Sequence, residues 1–139
     1  MKKLLIALLL LTPALSRAEG NRPPESPEAV ARLKKEAAGL ERQAAADPKN
    51  ADIFVKLGFT YARLRQPNDA QRAFESAVSL DPKRAEAHYM LGLIYEKKGM
   101  KDMALSAWRA CLENAKDPAM RNTASRHIHN LAAGKIGTP

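Results

Sequence analysis

Apolar residues recur at helical spacing in the stretch from 27 to 46. They follow one another at alternating steps of three and four residues, which places them on one face of a helix: Val30, Leu33, Ala37, Leu40 and Ala44. Ser26-Pro27-Glu28 combines a capping side chain, a proline suited to the first helical position and an acid that complements the free N–H groups. The pattern therefore predicts a helix that begins at Pro27 and ends at Asp47-Pro48.

The sequence from 51 to 118 repeats itself with a period of 34 residues. Six pairs are identical in a gap-free alignment of 51–84 with 85–118: Ala51/Ala85, Leu57/Leu91, Gly58/Gly92, Tyr61/Tyr95, Ala70/Ala104 and Ala73/Ala107. Each unit opens with a helical face at i, i+3, i+4 and i+7, formed by Phe54, Leu57, Gly58 and Tyr61, then by His88, Leu91, Gly92 and Tyr95. A second helix carries Ala70, Phe74 and Ala77, repeated as Ala104, Trp108 and Cys111. Each unit is therefore predicted to be a helical hairpin.

Short polar segments separate the two predicted helices of each unit. They are Arg65-Gln66-Pro67-Asn68 and Gly99-Met100-Lys101-Asp102, in which proline and glycine supply the break. We expect Asn68 or Asp102 to cap the helix that follows. The small residues mark places where two backbones approach closely, and two large aromatic residues fill the space that they leave: Gly58, Ala70, Gly92 and Ala104, with Phe74 and Trp108.

This pattern resembles the tetratricopeptide repeat, a hairpin of the same length. The first unit carries eight residues of its consensus: Phe54, Leu57, Gly58, Tyr61, Ala70, Phe74, Ala77 and Pro82. The second unit departs from it at His88, at Cys111 and at Pro118, which comes two residues late. The resemblance implies an all-α fold, a short right-handed α-solenoid of helix-turn-helix repeats over 51–84 and 85–118. The flanks 27–46 and 119–133 are predicted to be capping helices of one domain, 27–133, followed by a tail, 134–139.

The first 18 residues have the layout of a secretory signal peptide. A basic start is followed by an unbroken apolar run at 4–11 and by the small-residue site Ser16-Arg17-Ala18. The run is shorter than the roughly 20 apolar residues that a spanning helix needs, although a retained anchor is the alternative. Cleavage after Ala18 predicts a mature chain that begins at Glu19 with an extended leader, 19–26. The protein is then periplasmic or extracellular.

Composition and charge narrow the classes of partner. The 139 residues suit one domain, and 23 basic against 15 acidic residues give a net charge of +8. Three of the basic residues lie in 1–18, so the mature chain has 20 against 15, or +5. Because an exported basic protein meets envelope polymers, anionic lipid headgroups and other proteins, nucleic acid is not expected as a partner. Residues 119–139 hold Arg121, Arg126 and Lys135 without an acid, which predicts either a solvated cap or weak contact with an anionic envelope surface.

Residues that carry chemistry are few. A single cysteine, Cys111, excludes an internal disulfide and sits where the repeat has a small buried residue, so we expect an inert core thiol. The histidines His88, His127 and His129 lack the spacing of paired helical metal ligands, and we expect structural or solvated roles for them. No nucleophile motif or glycine-rich phosphate loop occurs. The sequence therefore predicts a non-enzymatic protein without a metal or cofactor.

The resemblance implies a concave groove on the first helix of each unit. The positions that would line it are Asp52, Val55, Phe59, Ala62 and Arg63, then Glu86, Tyr89, Leu93, Glu96 and Lys97. They are apolar in the middle, basic at one end and acidic at the other. The candidate peptide groove comprises Val55, Phe59, Arg63, Tyr89, Leu93 and Lys97, with Phe59 and Tyr89 as anchors. The alternative is that the four apolar residues only pack adjacent hairpins together.

The ligand class follows from the same positions. Family members that clamp a terminal carboxylate use asparagine and lysine where this chain has Val55 and Phe59, so that ligand is not implied. An apolar helical or extended peptide suits the groove better. The leading hypothesis is an exported adaptor that holds another envelope or secreted protein. The alternatives are a self-associating structural module and a weak binder of anionic envelope surfaces.

Overall fold

The computed structural model describes residues 24–135, which form α-helices joined by short turns. The helices are α1 (Pro27–Ala46), α2 (Ala51–Arg63), α3 (Pro67–Leu80), α4 (Ala85–Lys97), α5 (Lys101–Asn114) and α6 (Pro118–Ala132). Each helix packs on the next one along the chain, and the described residues contain no strand. The fold is therefore the predicted all-α solenoid of helical repeats. The predicted signal peptide, most of the leader and the last four residues lie outside the described residues.

The first helix begins where its capping residues predict. The Ser26 hydroxyl accepts a hydrogen bond from the Ala29 N–H at 3.2 Å, and Pro27 is the first helical residue. Leu33, Ala37 and Leu40 are buried against the rest of the fold. No helix within 24–135 has both the length and the apolar character that a membrane crossing requires.

The consensus positions of the two repeats build the core. All of the predicted packing residues are buried except Phe54 and Tyr61, which are half-buried; the buried ones are Leu57, Gly58, Ala70, Phe74, Ala77, Leu91, Gly92, Tyr95, Ala104 and Trp108. Because both repeats use the same positions, the packing between helices also repeats along the chain.

The helical glycines of the two repeats make room for aromatic rings. A Cβ atom built on Gly58 would lie 2.5 Å from Cε1 of Phe74, and one built on Gly92 would lie 2.5 Å from Cε2 of Trp108. Both rings are fully buried. The expectation that Phe74 and Trp108 fill the space left by small residues is confirmed. At the glycines, however, the close neighbour is a ring of the following helix and not a second backbone.

Helices α2, α4 and α6 end in the same way. The residue two positions after each helix has a left-handed backbone: Arg65 at φ 58°, Gly99 at φ 70° and Gly134 at φ 70°. In the first two turns the next N–H reaches back five residues, from Gln66 to the Tyr61 carbonyl (2.9 Å) and from Met100 to the Tyr95 carbonyl (2.8 Å). This is the Schellman arrangement, which satisfies carbonyls that the helix leaves free.

The predicted capping role of Asn68 and Asp102 is wrong. Helices α3 and α5 begin at Pro67 and Lys101, so both residues lie inside the first turn. The residues at the two N-cap positions make no side-chain capping hydrogen bond. After the tight left-handed turn each helix begins one residue before the polar side chain. Asn68 and Asp102 therefore lie beyond the N-cap position and do not cap the helix.

A tyrosine–glutamate pair recurs between successive repeats. The Tyr95 hydroxyl donates to the Glu75 carboxylate at 2.7 Å, and Tyr61 makes the same bond to Glu41. Burial, together with the Glu41 carboxylate, raises the pKa of Tyr61 to about 12. Each pair ties the first helix of one hairpin to the helix that precedes it, which fixes the stacking of the repeats.

Candidate functional site

The apolar groove residues differ in their exposure. Phe59 and Leu93 occupy the same position in the two repeats, and their exposed fractions are 39% and 36%. Val55 is buried in the same apolar cluster as residues of α4 and α5, and Tyr89 is half-buried against that cluster. Val55 therefore packs helices together, while Phe59 and Leu93 present apolar surface to solvent.

Buried rings orient the two predicted anchors. The Phe59 ring meets Phe74 edge to face, with 5.2 Å between ring centroids and an angle of 83°. The Tyr89 ring meets Trp108 in the same manner, at 5.1 Å and 85°. Such edge-to-face contacts favour one orientation of a ring. Phe59 and Tyr89 are therefore held by the second helix of their own repeats.

The basic end of the groove consists of Arg63 and Lys97. Arg63 donates from Nε to the Glu25 carboxylate at 3.1 Å, in the segment that precedes α1. Lys97 is exposed and makes no ion pair with any residue from 24 to 135. A carboxylate from outside α2 and α4 thus already reaches this end of the groove.

The acidic end is partly compensated by an arginine outside the predicted groove residues. Arg84, directly before α4, forms ion pairs with Asp52, with Asp81 at 2.8 Å and with Glu86 at 3.7 Å. The Lys83 N–H and the Arg84 side chain lower the pKa of Asp81. The signal available in the sequence was the position of Arg84, between one acid in the preceding turn and another in the first turn of α4. Because one cation faces three carboxylates, this end of the groove keeps a net negative charge, opposite to the positive charge of Arg63 and Lys97.

Glu96 lies in a polar and aromatic cluster that joins three helices. Its carboxylate accepts a hydrogen bond from Nε1 of Trp108 at 2.7 Å and lies 2.8 Å from Nδ1 of His127. The His127 ring stacks on the Trp108 ring, with centroids 4.3 Å apart and an angle of 17°. The repeat position of Glu96 predicts a place in the groove wall, and no sequence pattern indicates this cluster. Through these two contacts Glu96 links α4 to α5 and α6 and does not face the groove.

His88, His129 and Cys111 do not form a chemical site. His88 lies 2.7 Å from the Pro82 carbonyl through Nε2, and His129 is exposed. Cys111 is buried, and burial with the nearby Glu86 charge raises the pKa of its thiol to about 11. Residues 24–135 contain no group of three or more His, Cys, Asp or Glu that could hold a metal ion.

Arg121 caps a helix instead of facing solvent freely. Its guanidinium donates to the Leu112 carbonyl and, at 3.2 Å, to the Ala115 carbonyl. A cation at these carbonyls complements the negative end of the α5 dipole. Of the three basic residues predicted to form a patch in 119–139, Arg121 therefore has a structural role.

Comparisons with known proteins agree with the repeat architecture. Two family models described as tetratricopeptide repeat match the chain, one over residues 51–84 and the other over 73–106. The first match coincides with the first predicted unit, whereas the second begins inside α3 and covers α4, out of phase with the unit 85–118.

A curated relative matches a segment of similar length. Tetratricopeptide repeat protein 37 from Xenopus laevis is 36% identical over 56 residues, which are 40% of this chain and 4% of that protein. The match thus covers a small fraction of the relative's length. Residues 51–106 therefore consist of tetratricopeptide repeats, and proteins of that family are generally non-enzymatic scaffolds for protein–protein interactions.

Proposed function

We propose that this protein is an exported adaptor that binds another envelope or secreted protein through the groove on α2 and α4 and performs no chemistry itself. The observation that carries the proposal is the exposure of Phe59 and Leu93, one repeat apart. Each is followed four residues later by an exposed cation, Arg63 or Lys97. An apolar surface with a basic end, repeated at a 34-residue interval, suits an extended or helical segment of a partner.

The charges of the groove favour a ligand with an acidic end. Arg84 pairs with the acids at one end and only partly balances their charge, whereas Lys97 at the other end makes no ion pair within 24–135. The contact between Glu25 and Arg63 illustrates how a ligand carboxylate would be received. Because both cations are exposed, each such contact contributes about 0 to 1 kcal/mol, and the apolar residues supply most of the affinity.

A double substitution on the exposed groove residues tests this function. We expect Phe59→Ser with Leu93→Ser to abolish co-purification of the native partner after crosslinking in the cell envelope. Because both side chains are exposed, the variant should keep its helix content and melt cooperatively in circular dichroism. Leu80→Ser with Met100→Ser is the matched control, since these side chains are 40% and 39% exposed outside the groove.

Three outcomes count against the groove. The groove variant could still capture the partner, the control variant could lose the partner to the same extent, or the groove variant could fail to fold. The last result would assign Phe59 and Leu93 to the packing of hairpins. A charge reversal, Arg63→Glu with Lys97→Glu, leaves the apolar core untouched and should weaken capture in a folded protein.

Export is supported by the basic start, the apolar run and the small-residue site in 1–18. We expect the protein from an extracytoplasmic fraction to have the intact mass of a chain that begins at Glu19. A mass that retains residues 1–18 would support the anchor alternative instead.

No specific observation in the described residues supports either alternative function. The exposed residues of α1 and α6 are mostly polar, including Arg32 and Lys35 on α1 and Ser125 and Arg126 on α6. Polar faces of this kind are typical of solenoid ends and do not favour end-to-end stacking. With Arg121 bound to α5 carbonyls, the basic patch retains Arg126 and Lys135 for an anionic surface.

A further inference from the structure

A cleft of about 220 Å³ lies between α3, α4 and α5, and no predicted groove residue lines it. Its lining residues are mostly apolar: Val78, His88, Leu91, Tyr95, Met103, Ser106, Ala107 and Ala110. None of them is an aspartate, glutamate, lysine or arginine. The lining therefore complements an uncharged, apolar group.

The first repeat fills the corresponding place with its own side chain. Besides His88, four lining residues have an apolar or aromatic residue 34 positions earlier: Ala44 for Val78, Leu57 for Leu91, Tyr61 for Tyr95 and Ala73 for Ala107. Those equivalents form one apolar cluster, and Phe54 packs into it. The residue equivalent to Phe54 in the second repeat is His88. The cleft thus lies where the first repeat holds a phenyl ring.

The histidine lines the cleft without filling it. Its Nε2 lies 2.7 Å from the Pro82 carbonyl in the turn between α3 and α4, which holds the imidazole at one side of the cleft. An apolar cavity of roughly 150 Å³ is large enough to bind benzene. The cleft beside His88 has a larger volume than that cavity, and it is open to solvent.

The rim of the cleft also differs between the repeats. In the first repeat the rim positions hold Asp69 and Arg72, which form an ion pair with each other. In the second repeat the same positions hold Met103 and Ser106. Met103 is 42% exposed, so apolar surface continues outward from the cleft. Methionine is common at binding surfaces because its side chain adapts to the ligand.

We propose that this cleft is a second binding site, which takes the phenyl ring of a phenylalanine side chain from a partner protein. The ring would occupy the place that Phe54 fills in the first repeat, with Met103 covering its outer edge. The site is independent of the groove on α2 and α4.

Two peptides and one plugging substitution test the site. We would titrate the methyl-labelled full chain with acetyl-Gly-Phe-Gly-amide and, as a control, with acetyl-Gly-Ala-Gly-amide. The phenylalanine peptide should cause saturable NMR shifts at the methyl groups of Met103, Ala107 and Ala110, and the alanine peptide should not. His88→Phe should raise the melting temperature, because it restores the internal plug, and should weaken peptide binding at least tenfold.

The groove variant Phe59→Ser with Leu93→Ser separates this site from the proposed function. It should bind the phenylalanine peptide as the parent chain does. No saturable shift at millimolar peptide, equal shifts with both peptides, or a lower melting temperature of His88→Phe would overturn the proposal. A shift of the Met103 signal with protein concentration alone would identify a second copy of the chain as the occupant and would overturn the assignment to a partner.

Discussion

Gly92→Leu is expected to destabilise the fold by about 1 to 3 kcal/mol or more, although leucine is the better helix former. A Cβ atom at position 92 would lie 2.5 Å from Cε2 of Trp108, and the two next-nearest heavy atoms also belong to that indole. The ring is fully buried and cannot move without displacing its neighbours. Equilibrium unfolding in urea, followed by circular dichroism, measures the change.

Helix propensity alone predicts the opposite sign. A glycine in a helix costs about 0.8 to 1 kcal/mol relative to alanine, so Gly92→Ala would stabilise the protein if no ring were present. Gly39 in α1 provides the matched control, because its added Cβ would have its nearest neighbour, the Arg42 side chain, 4.0 Å away. We expect Gly39→Ala to raise stability and Gly92→Ala to lower it. Unchanged or raised stability in both Gly92 variants would contradict the hairpin packing.

The repeat period explains how much of the fold could be predicted. Residues that face the same neighbours in both hairpins recur at the same positions, so comparing the sequence with itself identified the glycines and the rings that cover them. The helix ends followed from local chemistry, as at Ser26 and Pro27. The cap prediction at Asn68 and Asp102 failed because the preceding turn is tighter than the sequence suggested, with Arg65 in a conformation that Gly99 adopts more readily.

The candidate site was less predictable, because exposure depends on which helix lies above a residue. Val55 and Tyr89 share a repeat position, yet one is buried and the other half-buried. Likewise, Glu96 and His127 are 31 residues apart on helices whose mutual orientation no local pattern specifies. The residue equivalent to Glu96 in the first repeat is Ala62, so the 34-residue repeat does not indicate this cluster either.

Trp108→Ala is expected to destabilise the protein by about 3 to 5 kcal/mol, the largest effect of a single truncation in this fold. The indole is fully buried and has contacts in several directions. Gly92 lies against it, Tyr89 meets its ring edge to face, His127 stacks on it, and Glu96 accepts its N–H. Removing the ring would therefore leave a cavity between α4, α5 and α6 and deprive Glu96 of one donor.

Trp108→Phe separates the packing of the ring from its hydrogen bond. Phenylalanine already occupies the equivalent position in the first repeat, where Phe74 lies against Gly58 in the same way. The variant keeps an aromatic ring beside His127 and loses the donor to Glu96, so we expect a cost of about 1 to 3 kcal/mol, below that of alanine. A cost equal to that of alanine would show that the hydrogen bond, and not the packing, dominates at this position.

A double-mutant cycle then measures how α6 is attached. If the stack and the shared carboxylate hold α6 in place, His127→Ala should cost markedly less in the Trp108→Ala background than in the parent chain. In the Trp108→Ala variant, hydrogen exchange should show that α6 opens before α2 and α3, because neither of those helices contacts the substituted residue. Equal costs of His127→Ala in both backgrounds would mean that α6 is held by its apolar residues, such as Ala124 and Leu131, both of which are buried. In that case Glu96, although bonded to His127, would contribute to the orientation of Trp108 and not to the docking of the last helix.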